Sequence, residues 1–221
     1  MRGIFSLDGS FYKYGSILAD IMILSLLWIF FSIPLITIGA STTALFYVTT
    51  RRISGREGYL SRDFWHGFKT NFKRATIIWL LMIIVISLII FNFFNFNLIG
   101  GMVNIFIALW IVVLFEVLLI SIYIFPLTAR FDMTVKELIR NAFFMGNRHM
   151  LTSITCIILG IGVVMFCIVY MNFLIIFSMG IYAWVASYMI MRVFKKYRPE
   201  MDKDPEEEIA EAEAEKNKRN R

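Results

Sequence analysis

Charge is confined to a few stretches of this sequence, and the apolar blocks between them decide what it can fold into. From Tyr14 to Thr50 Asp20 is the lone charged residue, from Ala75 to Ala129 it is Glu116, and from Met150 to Met191 there is none. The blocks are 37, 55 and 42 residues long. A helix that crosses a bilayer takes ~20 apolar residues, so the second and third blocks each hold two spans and a turn. The first holds one full span and a shorter segment. Composition agrees: at 59% hydrophobic and 17% charged, the chain lacks the polar surface of a soluble domain, where ~45–50% and ~25% are usual. A soluble globular domain, a disordered chain and a disulfide-stapled secreted module are excluded.

Local chemistry divides the blocks. Pro34 has no amide hydrogen and clashes with the preceding turn, and Gly39 opens the run of small residues Ala40-Ser41-Thr42-Thr43-Ala44. The first span is therefore expected at 17–35 and a short helix at 38–50. Asn95, Asn97, Gly100, Gly101 and Asn104 mark a turn between spans at 76–95 and 103–126. A weak break at Tyr170-Met171-Asn172 separates spans at 151–170 and 173–193. With six crossings, three hairpins, all 22 Lys and Arg fall on one side, which the positive-inside rule makes the cytoplasm. The expectation is an all-α polytopic bundle, residues 1–198, in a membrane with both termini on the cytoplasmic side. A re-entrant 38–50 would instead leave five spans. Acidic Asp8 precedes the first apolar run and no A-x-A cleavage site follows, so that run is read as retained.

Two basic segments carry helical amphipathy. Phe64, Trp65, Phe68 and Phe72 recur on one face beside Lys69, Lys73 and Arg74, and Leu138, Ile139, Ala142 and Phe143 alternate with Arg140, Asn141 and Arg148. Both read as short helices at the inner membrane surface, anchoring the chain or docking a cytoplasmic partner. Basic residues that hug span ends are not a nucleic-acid footprint. Residues 199–221 form a charged tail, acidic from Glu206 to Glu215 and basic from Lys216, which reads as an exposed helix or disorder.

Ionisable groups within spans are the first candidates for function. Asp20 lies near a span end, where interfacial water is within reach. Glu116 lies mid-span, with no Lys or Arg at its depth and with Ser87, Ser121, Thr155 or Ser178 as expected partners. It serves either proton coupling or substrate contact, or a structural hydrogen bond. Cys156 and Cys167, ~16 Å apart on one helix, cannot bridge each other. His66 and His149 lack a ligand set, and no P-loop, dinucleotide or hydrolase motif is present. No metal, cofactor or catalytic residue is expected.

Three stretches carry a resemblance: Ile33–Leu45 (IPLITIGASTTAL), Phe64–Ala75 (FWHGFKTNFKRA) and Phe125–Asp132 (FPLTARFD), the last followed by Asn141–Phe144. Together they resemble the YesL family of bacterial integral membrane proteins. The resemblance implies a multi-span protein of the kind often encoded beside carbohydrate ABC importers and sugar-responsive sensors. It carries over no catalytic residue. It singles out the motif positions Pro34, Thr37, Gly39, Phe64, Trp65, Asn71, Pro126, Arg130, Phe131 and Asn141. The expectation is a non-enzymatic accessory or regulatory component of carbohydrate uptake, in contact with the lipid bilayer and with an importer or membrane sensor. The rival is a small transporter or channel-like protein, dimeric, that uses Glu116.

Overall fold

The computed structural model describes residues 10–56, 58–94, 103–170 and 172–197. The expected turn at Asn95–Gly101 and the tail 199–221 lie outside them. Within these residues the chain is helical throughout: α1 (Ser10–Ser32), α2 (Ile38–Ile53), α3 (Leu60–Phe94), α4 (Val103–Arg130), α5 (Val135–Arg148), α6 (Met150–Tyr170) and α7 (Ser178–Tyr197). Five helical segments are long and apolar enough to cross a membrane, one each in α1, α3, α4, α6 and the stretch Leu174–Tyr197. This is an all-α membrane protein. α2 is not among the five.

α2 is the centre of the bundle. Every residue from Gly39 to Thr50 is buried except Tyr47, which is half-buried, and α1, α3, α4 and α7 all pack on it. Five of its buried residues are hydroxylic, and each hydroxyl has a partner. Ser41 donates to the Thr37 carbonyl, Thr43 to Gly39 and Thr50 to Phe46. Thr42 accepts from Trp28 Nε1 at 3.1 Å, and Thr49 meets Ser187 of α7 at 2.7 Å. Meanwhile large apolar side chains such as Leu18, Ile84, Phe91, Ile111, Ile158 and Val169 face outward. Lipid tails are as apolar as leucine, so burying leucine gains little in a bilayer. Small residues that let backbones approach, and hydroxyls that bond between helices, supply the cohesion instead. At Gly39 a Cβ would sit 2.6 Å from Trp79 Cβ and 2.7 Å from the Ala75 carbonyl oxygen, which fixes the α2–α3 approach.

The helix boundaries differ from the sequence reading in several places, beginning with α1, which ends at Ser32 rather than 35. The basic segment 64–75 is not a separate surface helix. It is the first part of the 35-residue α3, which at 1.5 Å per residue is about 52 Å long, well beyond a ~30 Å hydrocarbon layer. α4 does not stop at Pro126 but continues to Arg130 with that proline inside it. Arg130 can donate its side chain sideways while Phe131 N–H still reaches the Leu127 carbonyl at 2.9 Å. The last apolar segment opens with a 3₁₀ stretch at Asn172–Phe177 before α7 begins. α2 runs to Ile53 rather than 50. α5 is separate, started by a complete capping box in which Thr134 and Glu137 satisfy each other's backbone N–H groups.

Candidate functional site

The motif positions gather into three linked assemblies. The first is the turn between α1 and α2. Pro34 is exposed at its tip. Thr37 Oγ1 lies 2.6 Å from the Phe31 carbonyl and 2.7 Å from that of Pro34, tying the end of α1 to the start of α2. Trp79 Nε1 donates to the Leu35 carbonyl at 2.8 Å from α3. Together with the Gly39 approach, these contacts lock Pro34, Thr37 and Gly39 into one structural device.

The second is an aromatic stack on the basic part of α3. Phe31 of α1 lies against Phe64, Trp65 and Phe68, with ring centroids 5.6, 5.6 and 5.0 Å away. Trp65 stacks on Phe68 at 5.8 Å. Phe64 is fully buried, whereas Trp65 keeps 51% of its surface exposed. Asn71 is buried one turn further on and donates to the Gly67 carbonyl at 3.1 Å. Its own oxygen accepts from Arg74 Nη2 at 3.2 Å. Arg74 also pairs with Asp132 and donates to the Met133 carbonyl at 3.2 Å.

The third assembly surrounds the end of α4. Arg130 Nη2 donates to Ser54 Oγ at 2.7 Å and lies 3.4 Å from the Thr50 carbonyl, capping the C-terminus of α2. Phe131 meets Phe194 of α7 edge-on at 5.5 Å. Asn141 Nδ2 points to Met133 Sδ at 3.2 Å, a weak acceptor. Phe131 and Asn141 both line an open cavity of about 380 Å³ between the ends of α4, α5 and α7. Two further ion pairs tie this end of the bundle together: Arg52 with Asp20 at 3.4 Å and Arg51 with Asp63 at 3.7 Å. Asp20 therefore answers a specific arginine rather than interfacial water.

Glu116 stands apart from these assemblies. It is half-buried and accepts from Asn147 Nδ2 of α5 at 3.1 Å. None of the four expected hydroxyls is its partner: Ser121 and Thr155 donate to backbone carbonyls on their own helices, and Ser178 to the Ile175 carbonyl of the preceding 3₁₀ stretch. α5 folds back along α4, and that antiparallel hairpin brings positions 116 and 147 together. Among the described residues no group of three or more His, Cys, Asp or Glu is placed to hold a metal ion. The sequence reading missed Arg74, Arg148 and Tyr197 as site residues. Arg74 was visible only as one basic residue among several, because its partner Asp132 lies 58 positions away.

Residues 21–93 match a family model described as a protein of unknown function, DUF624. Over 190 residues the chain is 25% identical to a protein of Bacillus subtilis (strain 168) described as uncharacterized protein YesL, covering 82% of this chain and 88% of that one. These matches support a YesL-family assignment. The DUF624 match takes in most of α1, the Pro34–Gly39 turn, buried α2 and nearly all of α3. The first assembly and the α1–α3 part of the second fall inside that matched region, whereas Arg130, Phe131, Asp132 and Asn141 fall beyond it. No solved structure gives a significant match.

Proposed function

We propose that this chain is a non-enzymatic accessory protein of carbohydrate uptake, which acts by holding an importer or a membrane sensor against its basic end. The observation that carries this reading is the state of Trp65. Its ring is half exposed yet held against half-buried Phe31 and buried Phe68, at the end of a helix too long for the bilayer alone. A rigid aromatic surrounded by charge is what an interface anchor needs. Exposed Phe72 and Tyr59 extend the same end of α3. The carbohydrate connection rests on the family resemblance.

In this reading the basic end faces the cytoplasm of a bacterial plasma membrane, and both termini lie there. α2 returns the chain to that end as the short sixth crossing. The Asp20–Arg52 and Arg51–Asp63 pairs support the arrangement, because they draw the middle of α1, the end of α2 and the start of α3 together. The rival transporter reading needs Glu116 for a task beyond structure, and its hydrogen bond to Asn147 already gives it a structural one.

Cross-linking in native membranes, with identification of neighbours, tests the proposal. An importer subunit or sensor is expected at Trp65 and Phe72, and Trp65→Ala should remove it without lowering the level of the protein in the membrane. Sugar movement by the purified protein alone in liposomes, abolished by Glu116→Gln, would overturn the accessory reading.

A further inference from the structure

The cavity between α4, α5 and α7 has a mixed lining. Phe131, Met133 and Phe144 supply apolar surface. Asn141, Arg148 and Tyr197 supply polar and charged groups. On α5 the residues Asn141, Phe144 and Arg148 share a face by helical spacing, so the charge sits at one end of the groove and the rings alongside it. Arg148 lies 5.9 Å over the Tyr197 ring, and no carboxylate among the described residues pairs with it. The Arg148 end of the groove therefore carries a positive charge with no carboxylate counter-ion from the described residues. The Asn141 amide adds a donor whose present acceptor is a thioether sulfur.

We propose that this groove binds the headgroup of an anionic phospholipid, with Arg148 on the phosphate, Asn141 donating to it, and the glycerol and upper acyl carbons against Phe131, Met133 and Phe144. Charge complementarity selects an anion. The apolar lining selects one that carries hydrocarbon, and the position at the ends of apolar helices puts such molecules in reach. Anionic lipids enrich the cytoplasmic leaflet, so the site rests on the orientation proposed above but not on any protein partner. A guanidinium–phosphate contact is charge-assisted and bidentate in its best geometry.

Full-length protein in nanodiscs, exchanged into detergent and followed by native mass spectrometry, tests this with phosphatidylglycerol and phosphatidylcholine as probes. Retention of one phosphatidylglycerol in preference to phosphatidylcholine is expected. Arg148→Ala should weaken it about tenfold, the scale of one charged hydrogen bond, and Phe144→Ala should weaken it by less. Arg148→Lys should restore part of the loss, and because Arg148 is exposed neither change should lower the melting temperature. Equal retention of the two lipids, or no effect of Arg148→Ala, would overturn the proposal. So would competition by inorganic phosphate alone at the same concentration, since the apolar lining would then be idle. The acidic tail is the rival occupant. If lipid is retained only after Glu206, Glu207 and Glu208 are changed to Gln in the full chain, the groove belongs to the tail and the lipid proposal fails.

Discussion

α2 and α5 are nearly the same length, 16 and 14 residues, and neither is apolar enough to cross a membrane alone. They nevertheless occupy opposite environments. α2 is enclosed by four helices, whereas α5 buries Leu138, Ala142 and Gly146 and leaves Phe144 and Arg140 outside. The difference lies in side-chain size more than in polarity. α2 places Gly, Ala, Ser and Thr on successive positions all round its axis, so any face can meet a neighbouring backbone and each hydroxyl bonds locally or across. α5 segregates its apolar and charged residues, so only one face can be buried. In a bilayer, a helix is drawn inside by being thin and internally satisfied, while amphipathy keeps it at the surface.

The most damaging way to break this contrast is to thicken α2. Gly39→Ala places a methyl group within 2.7 Å of the Ala75 backbone carbonyl, so a loss of about 1–3 kcal/mol is expected from overpacking. The check is the melting temperature in detergent against Gly162→Ala, where the new Cβ meets nothing within 4 Å and no comparable loss should appear. A smaller effect follows from removing a cross-helix hydroxyl. Thr49→Val leaves Ser187 without its 2.7 Å partner and should cost about 1 kcal/mol. Adding Ser187→Ala should recover part of that, and a double-mutant cycle that shows no coupling would mean the contact does not join α2 to α7.

On α5 the expected effects are local. Thr134→Ala removes the cap and should cost about 1 kcal/mol, visible as faster amide exchange confined to the first turn of α5. Hydrogen bonds from the Thr134 backbone and side chain hold the Glu137 carboxyl below its ordinary range. A depressed carboxylate contributes its support above the unfolded value, 4.5, and loses it as pH falls through the lower folded value. Acidification below that point should therefore loosen this turn, and Glu137→Gln should remove the pH response. The smallest effect is at His149. Burial first, then Lys196 and Arg148, hold its pKa below 6.5. Its neutral form is the one the fold favours, so that contribution is complete above pH 6.5 and is lost as pH falls through the lower folded value. Imidazole resonances followed by NMR should give a value under 6.5 in the wild type, and Arg148→Ala should raise it.

The apolar blocks made the membrane class and most of the long helices legible, because a twenty-residue run without charge has few other solutions. The length of α3 was less so. Aromatic–basic patterning suggested a surface helix at 64–75, yet no proline interrupts Leu60–Phe94, and Gly67 packs under Tyr47, so the helix simply continues into its apolar part. α2 was visible as a short helix opened by Pro34 and Gly39, but its central place was not, since that depends on four neighbours at once. At the candidate site the sequence singled out motif positions without showing what their side chains contact. Arg130, Asn71 and Thr37 turn out to bond backbone carbonyls or hydroxyls, which leave no trace in composition. The Arg74–Asp132 and Glu116–Asn147 contacts depend on how α5 folds back along α4.

Thr49, Thr50 and their neighbours also bear on how the chain enters a membrane in the first place. A segment as polar as α2 has little tendency to leave a translocon for lipid unaided, and its hydroxyls and glycine face meet Trp28, Ala75, Trp79 and Ser187 on other helices. Insertion of α2 must therefore wait for α3 to emerge and be accepted together with it. A ribosome stalled before α3 has emerged would hold a half-made protein whose second helix has nowhere stable to go.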